Sequence, residues 1–334
     1  MNEKKYAIVI PSKGRHALIK IIDEYYQCIG IDMEVIVLDA SPVAINNYSF
    51  KSIRYYWKPD FSWTQRILFG LKNTSADVIS IGADDDFFIP VGWERCAKFL
   101  NDNPEYTCCR GRHIRLEIGA EKYQFVEKHI AIPSEAGLEA DSAYERVKAS
   151  FEPYRQLIFT VAKKEYVKYL LECYSISDEC REFEMFEEVM TLYLALKGKI
   201  KRIDDVFHVI TRTSLNDTRV QTPHCLTEMY HHFYEIGEDI FKREEGCGDE
   251  YNALLNGIVN KQVMYQFKVL CDKDEEKTKS GKIYKRILSI YRRIYSLLPG
   301  GKLSLSADET DQVNSVIKYL NAKDFYNVIK NINN

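Results

Sequence analysis

The sequence predicts an α/β protein with a mostly parallel sheet, flanking helices and a helical C-terminal region. Over the first third of the chain, short apolar runs of strand type alternate with segments of helical periodicity, and the connections between them are short. That alternation is typical of a parallel sheet covered on both faces. With 334 residues, 46% of them hydrophobic, the chain can bury a large core.

The first four strands and three helices are predicted in the order in which the patterns occur. Strand patterns cover 6–11, 33–39, 53–57 and 78–82, and each ends in turn-forming or polar residues. Helical spacing of apolar residues covers 17–25, 61–73 and 93–103. Pro104 lies just beyond the last of these helices, where it prevents further helical turns.

The remaining chain is predicted to continue this sheet and then become helical. A hairpin is expected over 106–132, strands over 157–162 and 200–211, and helices over 164–174 and 182–196. Gly198 follows the last helix, where a left-handed cap is expected. After about residue 222 no strong strand pattern recurs, which predicts a first domain at 1–221 and a helical region at 222–334.

Charge and composition argue against several classes of protein. The 46 Lys and Arg residues nearly balance 49 Asp and Glu residues, so the net charge gives no reason to expect nucleic-acid binding. No apolar run has the length of a membrane-spanning helix, and the polar start lacks the pattern of a secretory signal. The nine cysteines show no regular spacing, which favours reduced thiols. A cytoplasmic location is therefore expected.

Polar clusters follow three of the predicted strands, at 12–15, 39–41 and 84–86. In a parallel sheet the ligand lies outside the carboxyl ends of the strands, so these clusters are expected on one rim. Asp84, Asp85 and Asp86 repel one another unless they are solvated or neutralised by a cation. Oxygen ligands of this kind suit Mg²⁺ or Mn²⁺, while a solvated acidic turn remains the alternative.

Three segments in order, IVIPSKGR at 8–15, VLDAS at 37–41 and ISIGADDDF at 79–87, resemble signatures of family 2 glycosyltransferases with the GT-A fold. The resemblance covers about 6–215 and includes the DxD-type motif. It implies an inverting, metal-dependent hexosyltransferase of bacterial polysaccharide biosynthesis. Its donor would be a nucleotide diphosphate sugar, a UDP-sugar by default, and its acceptor a hydroxyl of a saccharide or lipid-linked saccharide.

The resemblance also implies roles for individual residues. Pro11 and Ser12 correspond to the first nucleotide-contacting loop, and Asp39 to the acidic residue that meets the base or ribose. Asp86 is the implied ligand of Mn²⁺ or Mg²⁺, and His208 is expected either to join it, to touch the diphosphate, or to be a packed residue. The expected donor-binding residues are Pro11, Ser12, Arg15, Asp39, Arg66, Asp84, Asp85 and Arg212.

The general base is expected on the helix that precedes Gly198. By resemblance Glu187 occupies the base position, although Phe186 stands where relatives usually carry a second acid. Glu184 and Glu188 remain contenders, because all three glutamates are predicted to share one helical face. A solvated acidic face without catalytic function is the alternative reading of the same pattern.

The C-terminal region contains one segment of special charge pattern and leaves its role open. Over 282–297, an isoleucine-rich apolar stripe is bordered by lysines and arginines. Such a helix can rest on anionic lipid as a peripheral membrane contact, or dock on the catalytic domain with its basic side solvated.

Three other functions are alternatives to sugar transfer. A sugar nucleotidyltransferase needs a Gly-rich loop after the first strand, and the 12–15 segment is short and contains one glycine. A phosphatase built on Asp39 lacks a second Asp two residues later. A non-catalytic nucleotide-sugar or carbohydrate-binding module would keep Asp39 and Asp86 but need no base.

Overall fold

The computed structural model describes residues 6–30, 32–118, 123–124, 137–174, 182–213 and 223–275. Within these ranges, the side chains at 115–118, 123–124, 182, 184, 212–213, 223–228 and 263–275 lie outside the description. The predicted basic helix at 282–297 lies outside the described residues. No helix in the described ranges is both long enough and apolar enough to cross a membrane.

The centre of the fold is a nine-stranded sheet in the described part of the chain. Its strands are β1 (Tyr6–Ser12), β2 (Glu34–Asp39), β3 (Arg54–Trp57), β4 (Val78–Ile81), β5 (Phe87–Phe88), β6 (Tyr106–Ile118), β7 (Tyr123–Gln124), β8 (Val161–Lys163) and β9 (Lys199–Thr213). The spatial order is β3-β2-β1-β4-β8-β6-β9-β5, with β7 paired to β6. The predicted parallel arrangement is confirmed for the first four strands, β3, β2, β1 and β4. Strands β6 and β9 also pair in parallel.

The helices that cover this sheet follow the predicted order, with one addition. They are α1 (His16–Ile29), α2 (Trp63–Lys72), α3 (Pro90–Asp102), α4 (Ala143–Phe151), α5 (Lys164–Cys173), α6 (Glu182–Lys197), α7 (Pro223–Arg243) and α8 (Asp249–Glu275). Local chemistry sets several of the ends. Helix α2 starts with a reciprocal capping box between Ser62 and Gln65, and α1 ends at Gly30 in the left-handed conformation.

Residues on alternate sides of β1 belong to two separate apolar clusters. Ala7 and Val9 pack with residues of α2, α5 and α6, whereas Ile8 and Ile10 pack with residues of α1 and α3. This alternation follows from the two-residue period of a strand. Phe233 of α7 and Leu255 of α8 belong to the first cluster, so these helices share its core. The boundary between residues 221 and 222 remains a prediction.

The order of the strands places a crevice at the carboxyl ends of β1 and β4. From β1 the chain passes to β2 and β3 on one side, and it then returns to form β4 on the other side of β1. Such a reversal leaves a gap between the two sets of connections, where ligands of open parallel sheets bind. The segments 12–15 and 84–86 follow these two strands and therefore lie at the gap.

In the second half of the chain, the observed sheet differs from the prediction. Strand β8 covers Val161–Lys163 and runs antiparallel to both β4 and β6, so the sheet is mixed there. Leu157 and Ile158 were predicted as part of this strand. They are buried but form no strand, because an apolar segment can be buried without pairing to a neighbouring strand. Helix α4 and the short β5 were not predicted. The hairpin at 106–132 is confirmed for β6 and β7.

The prediction of a left-handed cap at Gly198 is wrong. The described glycines with positive φ are Gly14, Gly30 and Gly246. Gly198 is required for space instead, since a Cβ there would lie 2.7 Å from the Glu105 carbonyl oxygen and 2.8 Å from Thr107 Cγ2. The turn after α6 thus passes directly against the start of β6.

Substitution by asparagine tests whether a helix end needs glycine for space, as at Gly198, or for its left-handed backbone, as at Gly30. Gly198→Asn is expected to lower the free energy of unfolding by about 1–3 kcal/mol, because its Cβ forces backbone apart. Gly30→Asn is the matched control, since Gly30 has φ 64° and nothing within 4 Å of a Cβ. Asparagine tolerates that conformation, so its cost is expected below about 1 kcal/mol. Urea unfolding measures both, and equal costs would contradict this assignment.

Candidate functional site

The polar clusters that follow β1, β2 and β4 meet at the rim of the sheet, as the sequence predicted. Ser12, Asp39, Asp84 and Asp86 are all buried there despite their polarity. Buried polar groups persist when they are hydrogen-bonded or when they serve a ligand. Their contacts therefore show which of them are already satisfied by the protein.

Asp84 and Asp85 share one arginine. Ser12 Oγ donates to Asp84 Oδ2 at 2.6 Å, and Arg15 Nη1 lies 2.8 Å from Asp84 Oδ1 and 3.2 Å from Asp85 Oδ2. The loop after β1 thus holds the acidic turn after β4 across the crevice. Burial, followed by the charge of Asp84, raises the pKa of Asp85 to about 6, and Arg15 opposes this rise.

Asp86 faces away from this arginine, towards β9. Its Oδ1 accepts a hydrogen bond from the Thr211 backbone N–H at 2.9 Å, and its Oδ2 lies 3.6 Å from His208 Nε2. Burial and the charge of Asp85 raise the pKa of Asp86 well above its usual value. Among the described side chains, these three carboxyl groups share one ion-paired arginine, and such a site favours further positive charge.

His208 directs an unsatisfied nitrogen at this acidic cluster. The side chain is completely buried, and within the described part of the chain its Nε2 has no hydrogen-bond partner. The 3.6 Å to Asp86 Oδ2 is too long for a hydrogen bond. Burial lowers the pKa of His208 to about 3, so its imidazole is neutral near pH 7, the form that binds metals.

Aromatic rings and a second histidine hold His208 in place. Its ring stacks on Phe88 with centroids 4.5 Å apart and lies 5.3 Å from the ring of Phe159. On the opposite edge of the imidazole, Nδ1 lies 3.1 Å from Nδ1 of His113 on β6. The direction of Nε2 is therefore set by packing against two aromatic rings and by the polar contact at Nδ1.

Asp39 is completely buried and connects the loops of the rim. It accepts hydrogen bonds from the backbone N–H and hydroxyl of Ser41 and from Tyr55 OH at 2.7 Å, and His16 Nε2 lies 3.2 Å away. Ser41 Oγ in turn accepts a hydrogen bond from the Gly14 N–H at 2.8 Å. These contacts organise the loops after β1 and β2. The predicted direct contact of Asp39 with a base or ribose stays a prediction.

Two further predicted donor residues lie just behind the rim. Arg66 of α2 is buried and donates to the Ser12 carbonyl oxygen at 2.6 Å and to the Ser62 carbonyl oxygen at 3.2 Å. Pro11 lies within β1, opposite Leu38 of β2. Both positions support the backbone that presents Ser12. The side chain of Arg212, at the end of β9, lies outside the described residues.

The described glutamates of α6 have different hydrogen-bond partners. Glu187 is half-buried and accepts hydrogen bonds from Tyr154 OH at 2.7 Å and Gln156 Nε2 at 2.5 Å. Glu188 is buried, and its Oε1 accepts from Tyr230 OH of α7 at 3.0 Å. Adjacent helical residues differ by about 100° in direction, which separates these two carboxylates. The side chain of Glu184 lies outside the described residues.

The start of α6 borders the same aromatic cluster as His208. Phe183 packs against Trp63 at the start of α2, with ring centroids 5.3 Å apart, and against Phe159 at 6.3 Å. Phe159 also contacts His208. Glu187 follows Phe183 by one helical turn and lies on the same face of α6.

The sequence did not predict the residues that hold the predicted site residues in position. His113, Tyr55, Tyr154 and Gln156 lie in segments without a recognisable motif, and each contacts a predicted residue only through tertiary structure. The parallel pairing of β6 with β9 could not be read from the chain, although it alone brings His113 to His208.

The described side chains do not by themselves complete a metal shell. No group of three His, Cys, Asp or Glu residues in the described ranges is arranged to hold an ion. Mg²⁺ sites are often built from one or two protein ligands together with substrate phosphates and water. Asp86 and the unsatisfied Nε2 of His208 fit a site of that incomplete kind.

Comparison with known proteins identifies the fold. No protein-family model matches the chain, and no curated protein matches it by sequence. The solved structure of Staphylococcus aureus TarS 1–349 in complex with UDP-GlcNAc is similar, with a TM-score of 0.55 and 11% identity over 78% of this chain and 73% of that chain. The same fragment alone has a TM-score of 0.49 and 10% identity, covering 82% and 75%. At this identity the likeness shows the fold, and the predicted GT-A type of α/β architecture is confirmed.

Proposed function

We propose that this protein is an inverting, metal-dependent glycosyltransferase that moves a sugar from a nucleotide diphosphate donor to a hydroxyl of a saccharide or lipid-linked acceptor. The observation that carries the proposal is the unsatisfied Nε2 of buried His208, directed at the carboxyl cluster of Asp84, Asp85 and Asp86 at the crevice. The similar TarS structure holds UDP-GlcNAc, which supports a nucleotide-sugar donor and makes UDP the first nucleotide to test.

Asp86 and His208 are the proposed ligands of Mn²⁺ or Mg²⁺. Asp86 offers Oδ2, because its Oδ1 already accepts the Thr211 N–H, and His208 offers the nitrogen that has no other partner in the described structure. When bound, the cation supplies positive charge that stabilises the leaving diphosphate. This assignment makes the acidic turn a DxD-type motif whose last residue is the ligand.

The remaining rim residues are proposed to bind and orient the donor. Ser12 and Arg15 hold Asp84 in place, which leaves the acidic turn rigid before the donor arrives. The network around Asp39 fixes the loops after β1 and β2, where the nucleoside is expected. At the end of β3, Trp57 is 42% exposed and its indole N–H donates to the Ser41 carbonyl oxygen at 2.8 Å. That ring is therefore oriented beside the same loop.

Glu187 is proposed as the general base. Tyr154 and Gln156 donate to different oxygens of its carboxylate, which fixes its plane. A carboxylate on the acceptor side removes the hydroxyl proton as the new glycosidic bond forms and the bond to the diphosphate breaks. A single displacement of this kind inverts the anomeric centre. Glu184 remains the other candidate, whereas Glu188 points to α7.

The wider assignments are proposals of the same kind. Residues 1–221 would form the catalytic domain and 222–334 a helical appendage. We propose a cytoplasmic enzyme of polysaccharide biosynthesis, without nucleic-acid partners, whose segment 282–297 contacts the inner face of the membrane where a lipid-linked acceptor is presented.

A thermal-shift panel tests donor class and metal dependence together. We expect a UDP-sugar with Mn²⁺ to raise Tm by at least about 2–4 °C, because a ligand in large excess over its Kd stabilises by a few kcal/mol. The same donor with EDTA is expected to give little shift, since the diphosphate then meets uncompensated carboxylates. GDP-, ADP- and CMP-sugars with Mn²⁺ serve as matched controls. Equal shifts with and without Mn²⁺ would refute the metal role, and the lack of any shift would refute the donor class.

A further inference from the structure

His113 and His208 are direct neighbours on two parallel strands. They occupy the same register position of β6 and β9, just after an irregularity in the pairing at Arg112. Their Nδ1 atoms are 3.1 Å apart, which is a hydrogen-bond distance between two ring nitrogens. A hydrogen bond there needs one proton between the two rings, because two protonated nitrogens repel and two bare nitrogens cannot bond.

The ring positions leave little freedom to either histidine. The ring of His113 packs edge-on against Phe207 with centroids 4.8 Å apart, while His208 stacks on Phe88. Burial, followed by the neighbouring His208 and by Arg110 and Arg202, a registered pair on the same two strands, lowers the pKa of His113. A neutral imidazole carries one proton on one of its two nitrogens, so the contact allows two arrangements.

The position of the shared proton then decides what His208 presents to Asp86. If His208 Nδ1 carries the proton, it donates to His113, and His208 Nε2 exposes a lone pair to the acidic cluster. If His113 Nδ1 carries the proton, His208 carries its own on Nε2, where the 3.6 Å to Asp86 Oδ2 gives it no hydrogen bond. Only the first arrangement leaves His208 Nε2 able to bind a cation, because a protonated ring nitrogen has no free lone pair.

We propose that His113 is a positioning residue that accepts the Nδ1 proton of His208 and thereby keeps His208 Nε2 free to bind a divalent cation. The inference rests on the proposed function, since the cation is what requires a bare Nε2 on His208. Partners of this kind fix the tautomer and orientation of metal-binding histidines, and removing them typically weakens metal binding 10–100-fold.

The tautomers can be measured directly in the metal-free protein. Long-range ¹H–¹⁵N spectra of histidine-labelled protein distinguish protonated from bare ring nitrogens, and His208→Gln assigns the His208 signals. We expect His208 to be protonated at Nδ1 and His113 at Nε2. The opposite pattern, with His208 protonated at Nε2, would overturn the proposal whatever the activity of the enzyme.

Variants at His113 then test the consequence for metal binding. His113→Leu removes the acceptor and is expected to weaken Mn²⁺ binding about 10–100-fold, measured by electron paramagnetic resonance of free Mn²⁺. His113→Asn can place an amide oxygen near the position of Nδ1, so it is expected to retain affinity within about threefold. Unfolding midpoints of both variants show whether the fold persists, and the asparagine variant keeps the test informative if the leucine variant does not fold.

The outcomes separate this inference from the proposed function. Weakened Mn²⁺ binding in His113→Leu, rescued in His113→Asn, supports the positioning role. If His208→Gln weakens Mn²⁺ binding but His113→Leu does not, the inference fails and the metal site stands. If Asp86→Asn and His208→Gln both bind Mn²⁺ as well as the wild type does, the metal site itself is wrong, and the proposed use of the tautomer fails with it.

Discussion

Asp86→Asn is expected to lower kcat/KM by about 10²–10³-fold or more. Asparagine can still accept the Thr211 N–H, so the local backbone is retained. It removes the negative charge that faces His208, and with it the proposed ligand of a cation that stabilises the leaving group. Loss of one preorganised electrostatic contact at a reacting centre typically costs this much.

Steady-state kinetics over a range of Mn²⁺ concentrations provides the measurement. The variant is expected to need far more Mn²⁺ for half-maximal activity, while its Tm without metal stays near that of the wild type. Asp205→Asn is the matched control, because Asp205 on β9 pairs with the exposed Arg95 and such surface pairs contribute little. An Asp86→Asn enzyme with normal rate and normal Mn²⁺ dependence would show that the acidic cluster has no role in the chemistry.

Glu187→Gln is expected to lower kcat by about 10²–10⁴-fold, the usual contribution of a general base, while the Kd of the donor is unchanged. Glutamine keeps the shape and one oxygen for Tyr154 or Gln156 but cannot accept a proton from the acceptor hydroxyl. The effect should therefore appear in the chemical step alone. Single-turnover rates, with donor binding followed by thermal shift, distinguish the two.

Glu188→Gln is the matched control for this prediction. Its carboxylate is buried and accepts a hydrogen bond from Tyr230 of α7, whereas Tyr154 and Gln156 donate to Glu187. We expect near-normal kcat and at most a modest loss of stability. If Glu184→Gln abolishes turnover while Glu187→Gln does not, the base is Glu184. If the wild type binds donors but transfers no sugar to any acceptor, the protein is a binding module.

Much of the fold was predictable because its first half depends on local patterns. The strands β1, β2 and β4 are buried apolar runs, and their ends were correct to within one residue for β2 and β4. The glycine at 198 shows the limit of such reasoning. A glycine after a helix usually indicates a left-handed cap, but here the need is for space beside Glu105, which is 93 residues earlier and invisible to a local pattern.

The candidate site divides in the same way. The acidic triplet, Ser12 and Asp39 were predictable, because polar residues at the ends of parallel strands must meet on one rim. The different surroundings of Glu187 and Glu188 were not, since they depend on which neighbouring segment covers each side of α6. Even the partners of Asp39 are distributed over residues 16, 41 and 55, three separate loops and elements.

The amino-acid sequence alone determined the α/β class, the order of the first strands and helices, and the gathering of acidic side chains at one edge, because these follow from periodicity and from the direction of parallel strands. Only the tertiary structure decided that His208 faces Asp86, that His113 lies behind it, and that Glu187 and Glu188 accept hydrogen bonds from different tyrosines. These contacts join residues far apart in the chain, and burial in a shared core, which no local pattern encodes, is what brings them together.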